Sequence, residues 1–373
     1  MTLPRMLLAG LFTTLLISQG WSEEKKKRKP RPAPVVSPLI KGAEVTFQIK
    51  APRAEEVLLT GEMIDRRIPL KKNENGIWSL TIDTIESGLY GYSFVVDGLQ
   101  ILDPGNPQSK PMRSPKTSIL HLPGDHPYDF KDVPHGTVHT HTYFSEPIQR
   151  QRSLRVYTPP GYETSDDRYP LLVLQHGHSD SYATWTTYGK AHWILDNLIA
   201  EKKAVPMIVV MLDGHPIPES YGKGRSPENT EELRKDLLDA ALPLLEKSYR
   251  LLPGRDHRAI AGLSMGGLHA LTIGTQERDT FSAIGSFSGA IPEQSVFGSV
   301  LSKPETFNKE MRLLWIACGK DDFLLGENEK LNALLESKGI QHDWVLTEGG
   351  HSWPVWRDYL TQFAPLLFQN GDL

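Results

Sequence analysis

Apolar residues are spaced in three different ways along the chain. Positions 6–17 form an almost unbroken apolar stretch, Met6-Leu7-Leu8-Ala9-Gly10-Leu11-Phe12-Thr13-Thr14-Leu15-Leu16-Ile17. From 42 to about 122 apolar residues recur at every second position: Val45, Phe47 and Ile49 alternate with Thr46, Gln48 and Lys50, and Tyr90, Tyr92, Phe94 and Val96 share one face. A period of two belongs to half-buried strands, and Asn75-Gly76 and Asp97-Gly98 are hairpin turn signals. Several short strands with such turns predict a small all-β, immunoglobulin-like sandwich over 41–125. Trp78 alternates with Leu80 and Ile82, which places it in the core of that sandwich. Asp103-Pro104-Gly105-Asn106-Pro107 closes the region, and proline-rich chain over 111–134 leads onward as a linker.

Beyond His135 continuous apolar runs alternate with helical stretches. The runs predict strands over 153–158, 171–174, 207–212, 283–287, 313–318 and 344–347, with a further strand opening at Ala259. Helices are expected over 188–200, 230–249, 327–337 and 355–368, with Pro243 bending the second. Strands that are apolar on both faces and separated by helices mean an α/β architecture, a mostly parallel sheet covered on both sides, over 135–373. His139 and His141 would share one face of a strand. No third ligand follows at a suitable spacing, so they read as a surface strand and not as a metal pair.

Composition adds three constraints. At 373 residues the chain exceeds the ~100 to 200 of one domain, so two cores are expected. A formal net charge of -4, with 23% charged residues spread along the chain, supplies no basic field for nucleic acid. The first apolar stretch follows Arg5, is shorter than the ~20 residues that span a bilayer, and ends near the small residues Gly20 and Ser22. Residues 1–22 therefore read as a secretory signal peptide, followed over 23–40 by a basic, proline-rich linker that cannot build a core. No later stretch is apolar enough to span a membrane, and the single Cys318 cannot form an internal disulfide. These features suit a secreted or periplasmic bacterial protein.

The candidate chemistry centres on Ala259-Ile260-Ala261-Gly262-Leu263-Ser264-Met265-Gly266-Gly267, which reads as strand, tight turn and helix. Such a turn lifts a serine Oγ clear of the sheet, and it requires glycine at Gly262 and Gly266, where backbones pass closely. A serine nucleophile needs a base to take its proton and an acid to orient that base, both from later strand ends. The turn Gly319-Lys320-Asp321-Asp322 offers two acids, and spacing does not decide between Asp321 and Asp322. His351, freed by Gly349 and Gly350, is the candidate base; His342 and His269 read as packing or surface residues. Two N–H donors for the tetrahedral intermediate are expected from the backbones of Met265 and His178. Trp185, Tyr188, His215, Tyr221, Trp353 and Trp356 lie in loops or helix starts near strand ends and would line an aromatic cleft. The chemistry calls for neither metal nor cofactor.

Read together, Tyr157-Thr158-Pro159-Pro160-Gly161-Tyr162, His176-Gly177, the segments 229–238 and 258–267, and Gly349-Gly350-His351-Ser352-Trp353 resemble the esterase D and feruloyl esterase group, carbohydrate esterase family one. The resemblance implies an α/β-hydrolase fold and puts the acid at Asp322, the fourth residue of its turn. It also implies hydrolysis of carboxylic esters, such as feruloyl or acetyl groups on polysaccharides; siderophore esterases and mycolyl transferases are relatives. An acyltransferase using the same acyl-enzyme, and a glycan-binding protein with a degenerate esterase domain, are the competing readings. The sandwich resembles the early-set modules that precede many carbohydrate-active enzymes, through Asn75-Gly76-Ile77-Trp78 and Phe94-Val95-Val96-Asp97-Gly98. That implies glycan contact through the module, although Gly61-Glu62-Met63-Ile64-Asp65 lacks the tryptophan that glycan-binding relatives often carry there.

Overall fold

The alternation of apolar residues between 42 and 122 builds two facing antiparallel sheets. The computed structural model describes residues 34–217 and 224–369, so residues 1–33, with the signal reading and most of the basic linker, and Tyr221 lie outside the described residues. One sheet contains β1 (Leu39–Lys41), β2 (Glu44–Lys50), β5 (Lys71–Lys72) and β6 (Ile77–Ile82) in the order β1-β2-β6-β5. The other contains β3 (Val57–Gly61), β4 (Ile68–Pro69), β7 (Gly88–Val96), β8 (Leu99–Ile101) and β9 (Ser118–Leu122), with β9 pairing β7. Val45, Phe47 and Ile49 meet Tyr92, Phe94 and Leu120 in the space between, and Trp78 is buried there with its indole N–H donating to the Ala51 carbonyl at 2.9 Å. The Asp97-Gly98 turn joins β7 to β8 with both residues at positive φ, 47° and 86°, the geometry a two-residue hairpin needs. One expectation is corrected: the proline-rich stretch 111–134 is not all linker, because β9 lies within it.

The continuous apolar runs form the middle of an eight-stranded sheet: β10 (Thr137–Ser145), β11 (Arg150–Thr158), β12 (Leu171–Gln175), β13 (Ile208–Leu212), β14 (Arg258–Leu263), β15 (Ala283–Phe287), β16 (Leu313–Gly319) and β17 (Asp343–Thr347). Their order is β10-β11-β13-β12-β14-β15-β16-β17, and only β11 runs against its neighbours. Alternate residues of β12 enter different cores. Leu172 and Leu174 pack on the side of the helices Ala191–Ala200 and Trp353–Phe363, whereas Leu171 and Val173 face the helices Met265–Gln276 and Leu325–Ser337. Burial on both faces explains why β12 to β16 carry no polar alternation, whereas β10, at the edge, alternates.

Two helical expectations change in detail. The helix expected over 188–200 starts later, as Ala191–Ala200; Lys190 takes a left-handed φ of 56° just before it, and a separate short helix, Thr184–Thr187, precedes the stretch. The helix expected over 230–249 is interrupted before Pro243 by one wide turn, Leu237–Ala241, in which the Leu242 N–H reaches back to the Leu237 carbonyl. Proline has no N–H for the carbonyl four residues earlier, and its ring crowds that carbonyl, so the widened turn relieves the clash.

The sandwich and the eight-stranded sheet share a core. Leu89 of β7 and Ile119 of β9 belong to the same apolar cluster as Leu172, Trp185 and Trp353. Polar groups cross the same boundary. The buried guanidinium of Arg357 donates to the carbonyls of Tyr188 (3.2 Å) and Leu89 (3.4 Å), and the Glu62 carboxylate accepts from the Gly91 N–H and the Tyr188 hydroxyl. Two consequences are measurable by calorimetry. The described chain unfolds in one transition, and two resolved transitions would contradict the shared core. Arg357→Met, which strands two buried carbonyls at about 1–3 kcal/mol each, lowers the midpoint by on the order of 5 °C.

Candidate active site

The chain runs from β12 outward to β13 and then returns to the far side of β12 as β14, so successive connections diverge from the β12–β14 pair. Such a switch point opens a crevice at the carboxyl ends of the strands. The loop after β12 and the turn after β14 meet there.

Ser264 occupies the turn between β14 and the helix Met265–Gln276, with φ 53° and ψ -114°. This conformation is costly for a residue with a Cβ, about 1–3 kcal/mol, and persists because the backbone is held on both sides. The Ser264 N–H donates to the Phe287 carbonyl at 2.9 Å, and its carbonyl accepts from the N–H groups of Gly267, Leu268 and Ala290. The glycines are explained by contact. A Cβ on Gly262 would lie 2.5 Å from the Gly266 carbonyl, and one on Gly266 would lie 2.6 Å from the Gln175 carbonyl.

Three side chains meet over this turn. The Ser264 hydroxyl donates to His351 Nε2 at 2.9 Å, and His351 Nδ1 lies 2.9 and 3.1 Å from the two carboxylate oxygens of Asp322. Asp322 is buried while Asp321 is exposed, so the alternative left open by spacing resolves to Asp322 as the partner of the imidazole. Burial would push the Asp322 carboxyl up, but hydrogen bonds from His351 and from the Leu324 N–H, at 2.8 Å, hold it below the ordinary value. Gly349, at φ 90°, turns the chain after β17 toward the site, and its carbonyl accepts from the Asp321 N–H, which ties the acid turn to the histidine turn. Neighbouring Cys318 is buried and its thiol is pushed up to about 12 by burial and by the Asp322 charge, so it is an inert thiol.

A cavity of about 550 Å³ lies over Ser264 and His351, lined also by Lys110, Gly177, His178, Asp180, Phe323 and Trp356. His178 thus borders the cavity, and Gly177 sits close enough to the elbow that an added Cβ would come 3.6 Å from the Ser264 Cβ. Trp356 meets the His351 ring edge to face at 4.9 Å, and Phe323 lies against it at 4.4 Å. Three of the expected cleft residues are elsewhere. Trp185, Tyr188 and Trp353 are fully buried beneath the site and pack edge to face, with the Trp185–Trp353 centroids 5.0 Å apart. Aromatic residues near strand ends served the core, the commoner use of such bulk. His215 is also buried: its Nε2–H donates to the His178 carbonyl at 2.7 Å, so it braces the loop and does not line it. Tyr221 lies outside the described residues. His269 is fully buried and His342 caps local chain by bonding Asn332, matching their reading as packing residues. His139 and His141 bond Thr158 and Tyr249 across the sheet edge, and among the described residues no cluster of three metal-ligating side chains occurs.

Sequence reasoning missed Lys110, Asp180 and Phe323. Phe323 left a signal, an apolar residue in an otherwise polar turn; it is 70% exposed. Lys110 left none, because it is brought to the site by tertiary packing of the sandwich.

The mostly parallel sheet, the strained elbow and the serine, imidazole and carboxylate in series are the fold and arrangement of an α/β-hydrolase. The Esterase family model matches residues 145–367, more than half of the chain, and the chain belongs to that family. Residues 35–109 match carbohydrate-binding module 48, the isoamylase N-terminal domain. An endo-1,4-beta-xylanase/feruloyl esterase from Xylanibacter ruminicola is 30% identical over 335 residues; these are 87% of this chain but 44% of the relative, so the chain spans less than half of that protein. A ferulic acid esterase structure is 28% identical, with TM-score 0.54, over 62% of this chain and 97% of that one. An enterobactin esterase structure from Shigella flexneri shares the fold, with TM-score 0.61 at 21% identity over 87% of this chain and 92% of that one.

Three histidines are held neutral: His215 in the loop after β13, and His269 and His192 on the helices Met265–Gln276 and Ala191–Ala200. Burial, followed by the charges of His176 and Arg113, lowers His215 to about 3, and burial lowers His269 and His192 to about 3 as well. In the unfolded chain each takes a proton below the ordinary 6.5, so between 6.5 and 3 the unfolded state binds more protons. Stability is therefore complete above that window and declines as pH falls through it. The thermal midpoint is expected to be lower near pH 4.5 than near pH 7, and an equal or higher midpoint would contradict the neutral assignment.

Proposed function

We propose that the chain is an exported serine ester hydrolase that cleaves feruloyl or related acyl groups from polysaccharides by a Ser-His-Asp acyl-enzyme mechanism. The hydrogen bond of 2.9 Å between Ser264 Oγ and His351 Nε2, on an elbow that lines the cavity, carries this reading. His351 takes the Ser264 proton as Oγ attacks the ester carbonyl, and Asp322 stabilises the imidazolium and fixes the ring. The Met265 and His178 amides receive the oxyanion. His351 then gives its proton to the departing alcohol, which leaves an acyl-Ser264 ester. Water, deprotonated by the same imidazole, attacks that ester; the acid is released and Ser264 regains its proton.

A flat aromatic acyl group suits a cavity flanked by Trp356 and Phe323. The names of the Xylanibacter relative and of the 28% identical structure, and the carbohydrate-binding module match, support a feruloyl ester on a polysaccharide. Export is supported by the apolar, weakly basic start of the sequence. A trilactone siderophore is the second reading, favoured by the 87% of this chain that aligns with an enterobactin esterase.

The test is a substrate panel running from acetyl and feruloyl esters, free and polysaccharide-bound, to a catecholate trilactone. Highest kcat/KM on feruloyl esters is expected, and preference for the trilactone would replace the substrate assignment. Ser264→Ala and His351→Ala are expected to lower kcat by at least about 10³-fold, Asp322→Asn by about 10²- to 10⁴-fold, and Asp321→Asn by less than about twofold. Substantial turnover by Ser264→Ala would refute the mechanism.

A further inference from the structure

The chain from Ser109 to Ser118 is a hairpin on the sandwich, closed by a bridge between those two residues and by the Lys110 N–H donating to the Thr117 carbonyl at 2.9 Å. Its tip lies against the loop that follows β12. Met112 forms an antiparallel bridge with Asp180, and the Arg113 N–H donates to the Ser179 carbonyl at 3.1 Å. The Pro111 carbonyl accepts from the hydroxyls of Ser181 and Thr184. The post-β12 loop is thereby paired, residue by residue, with chain from the sandwich.

Two side chains extend this pairing to the cavity. Lys110 Nζ lies 3.0 Å from Asp180 Oδ1 with both groups nearly buried, and it also sits 5.3 Å from the ring centroids of Tyr188 and Trp353. Asp180 closes the turn that contains His178, its N–H donating to the Gly177 carbonyl at 3.1 Å. On the other side Arg113 Nη1 donates to His215 Nδ1 at 3.2 Å, and His215 Nε2–H donates onward to the His178 carbonyl. His178 is thus gripped from both directions, and each grip ends in a residue of the sandwich hairpin. Its N–H belongs to the peptide that precedes the braced carbonyl, so these contacts fix the direction in which that amide points.

We propose that the N-terminal module is a working part of the ester-cleaving site: Lys110, through Asp180, and Arg113, through His215, are positioning residues that hold the His178 amide where the oxyanion forms. The inference rests on the serine esterase reading. It goes beyond a role for the module in holding a glycan, because it predicts an effect on substrates with no glycan. An ion pair is suited to the task, since a nearly buried Asp180 that loses its cation carries an uncompensated charge and the turn must rearrange. Small displacements of a preorganised donor are expensive, on the order of tenfold to a hundredfold in rate.

The experiment uses the full chain and two soluble esters without sugar, 4-nitrophenyl acetate and methyl ferulate. Lys110→Met and Asp180→Asn are each expected to lower kcat about tenfold or more on both esters with KM changed less than about twofold. The double variant is expected to be no worse than Lys110→Met alone, and Lys110→Arg, which restores the pair, to stay within about threefold of the parent. Arg113→Gln is expected to act in the same direction as Lys110→Met. Unchanged kcat in Lys110→Met and Asp180→Asn overturns the proposal and leaves the esterase reading intact. Raised KM at constant kcat also overturns it, because Lys110 would then bind substrate without positioning the amide. Equal loss in Lys110→Met and Lys110→Arg, with a lowered thermal midpoint in both, assigns the residue to folding alone and overturns it too. Absence of ester turnover by the parent removes the esterase reading and this inference with it.

Discussion

The backbone of Ser264 is held in a conformation it would not adopt alone, and the candidate site is arranged around that constraint. A φ of 53° at a non-glycine residue is maintained by four backbone hydrogen bonds, one given to β15 and three received, and by glycines that let strand and helix approach. The strain raises Oγ above the sheet edge, where loops following other strands of the sheet reach it. His351 arrives from β17 and Asp322 from β16, and the two turns are bonded to each other, so the imidazole faces the hydroxyl without further adjustment.

A second constraint acts from the opposite side. The loop after β12 must stay close to the elbow, yet its carbonyls and side chains are polar and need partners. It finds them in His215 and in the hairpin 109–118 of the sandwich. The apolar surface below is shared as well, through Leu89, Ile119, Trp185 and Trp353. Packing, polar satisfaction and the candidate chemistry therefore meet at one junction between the two sheets' modules, which favours a single cooperative structure over two tethered ones.

What could be read from the sequence was what is encoded locally. Period-two alternation gave the sandwich strands and the burial of Trp78, and both-sided apolar runs gave the parallel sheet. The elbow could be read because Gly262, Ser264 and Gly266 each answer a contact within a few residues. The acid could not be chosen from spacing: Asp321 and Asp322 are adjacent, and what separates them is that one is buried against His351, a tertiary fact the family resemblance anticipated. Trp185, Tyr188 and Trp353 were misread because proximity to a strand end does not tell whether a ring points up into a cleft or down into the core. The start of the helix expected over 188–200 falls three residues late because the left-handed residue before it is Lys190, an ordinary helix former. Lys110 was invisible, since no motif marks a lysine that another module carries into a cleft.

The most direct measurement is active-site labelling with a fluorophosphonate, which reacts with a serine only where a base activates its hydroxyl. Intact mass and peptide mapping are expected to show one adduct, on Ser264, absent after denaturation and absent in His351→Ala. Labelling of a different serine, or labelling of Ser264 that survives loss of His351, would contradict the account.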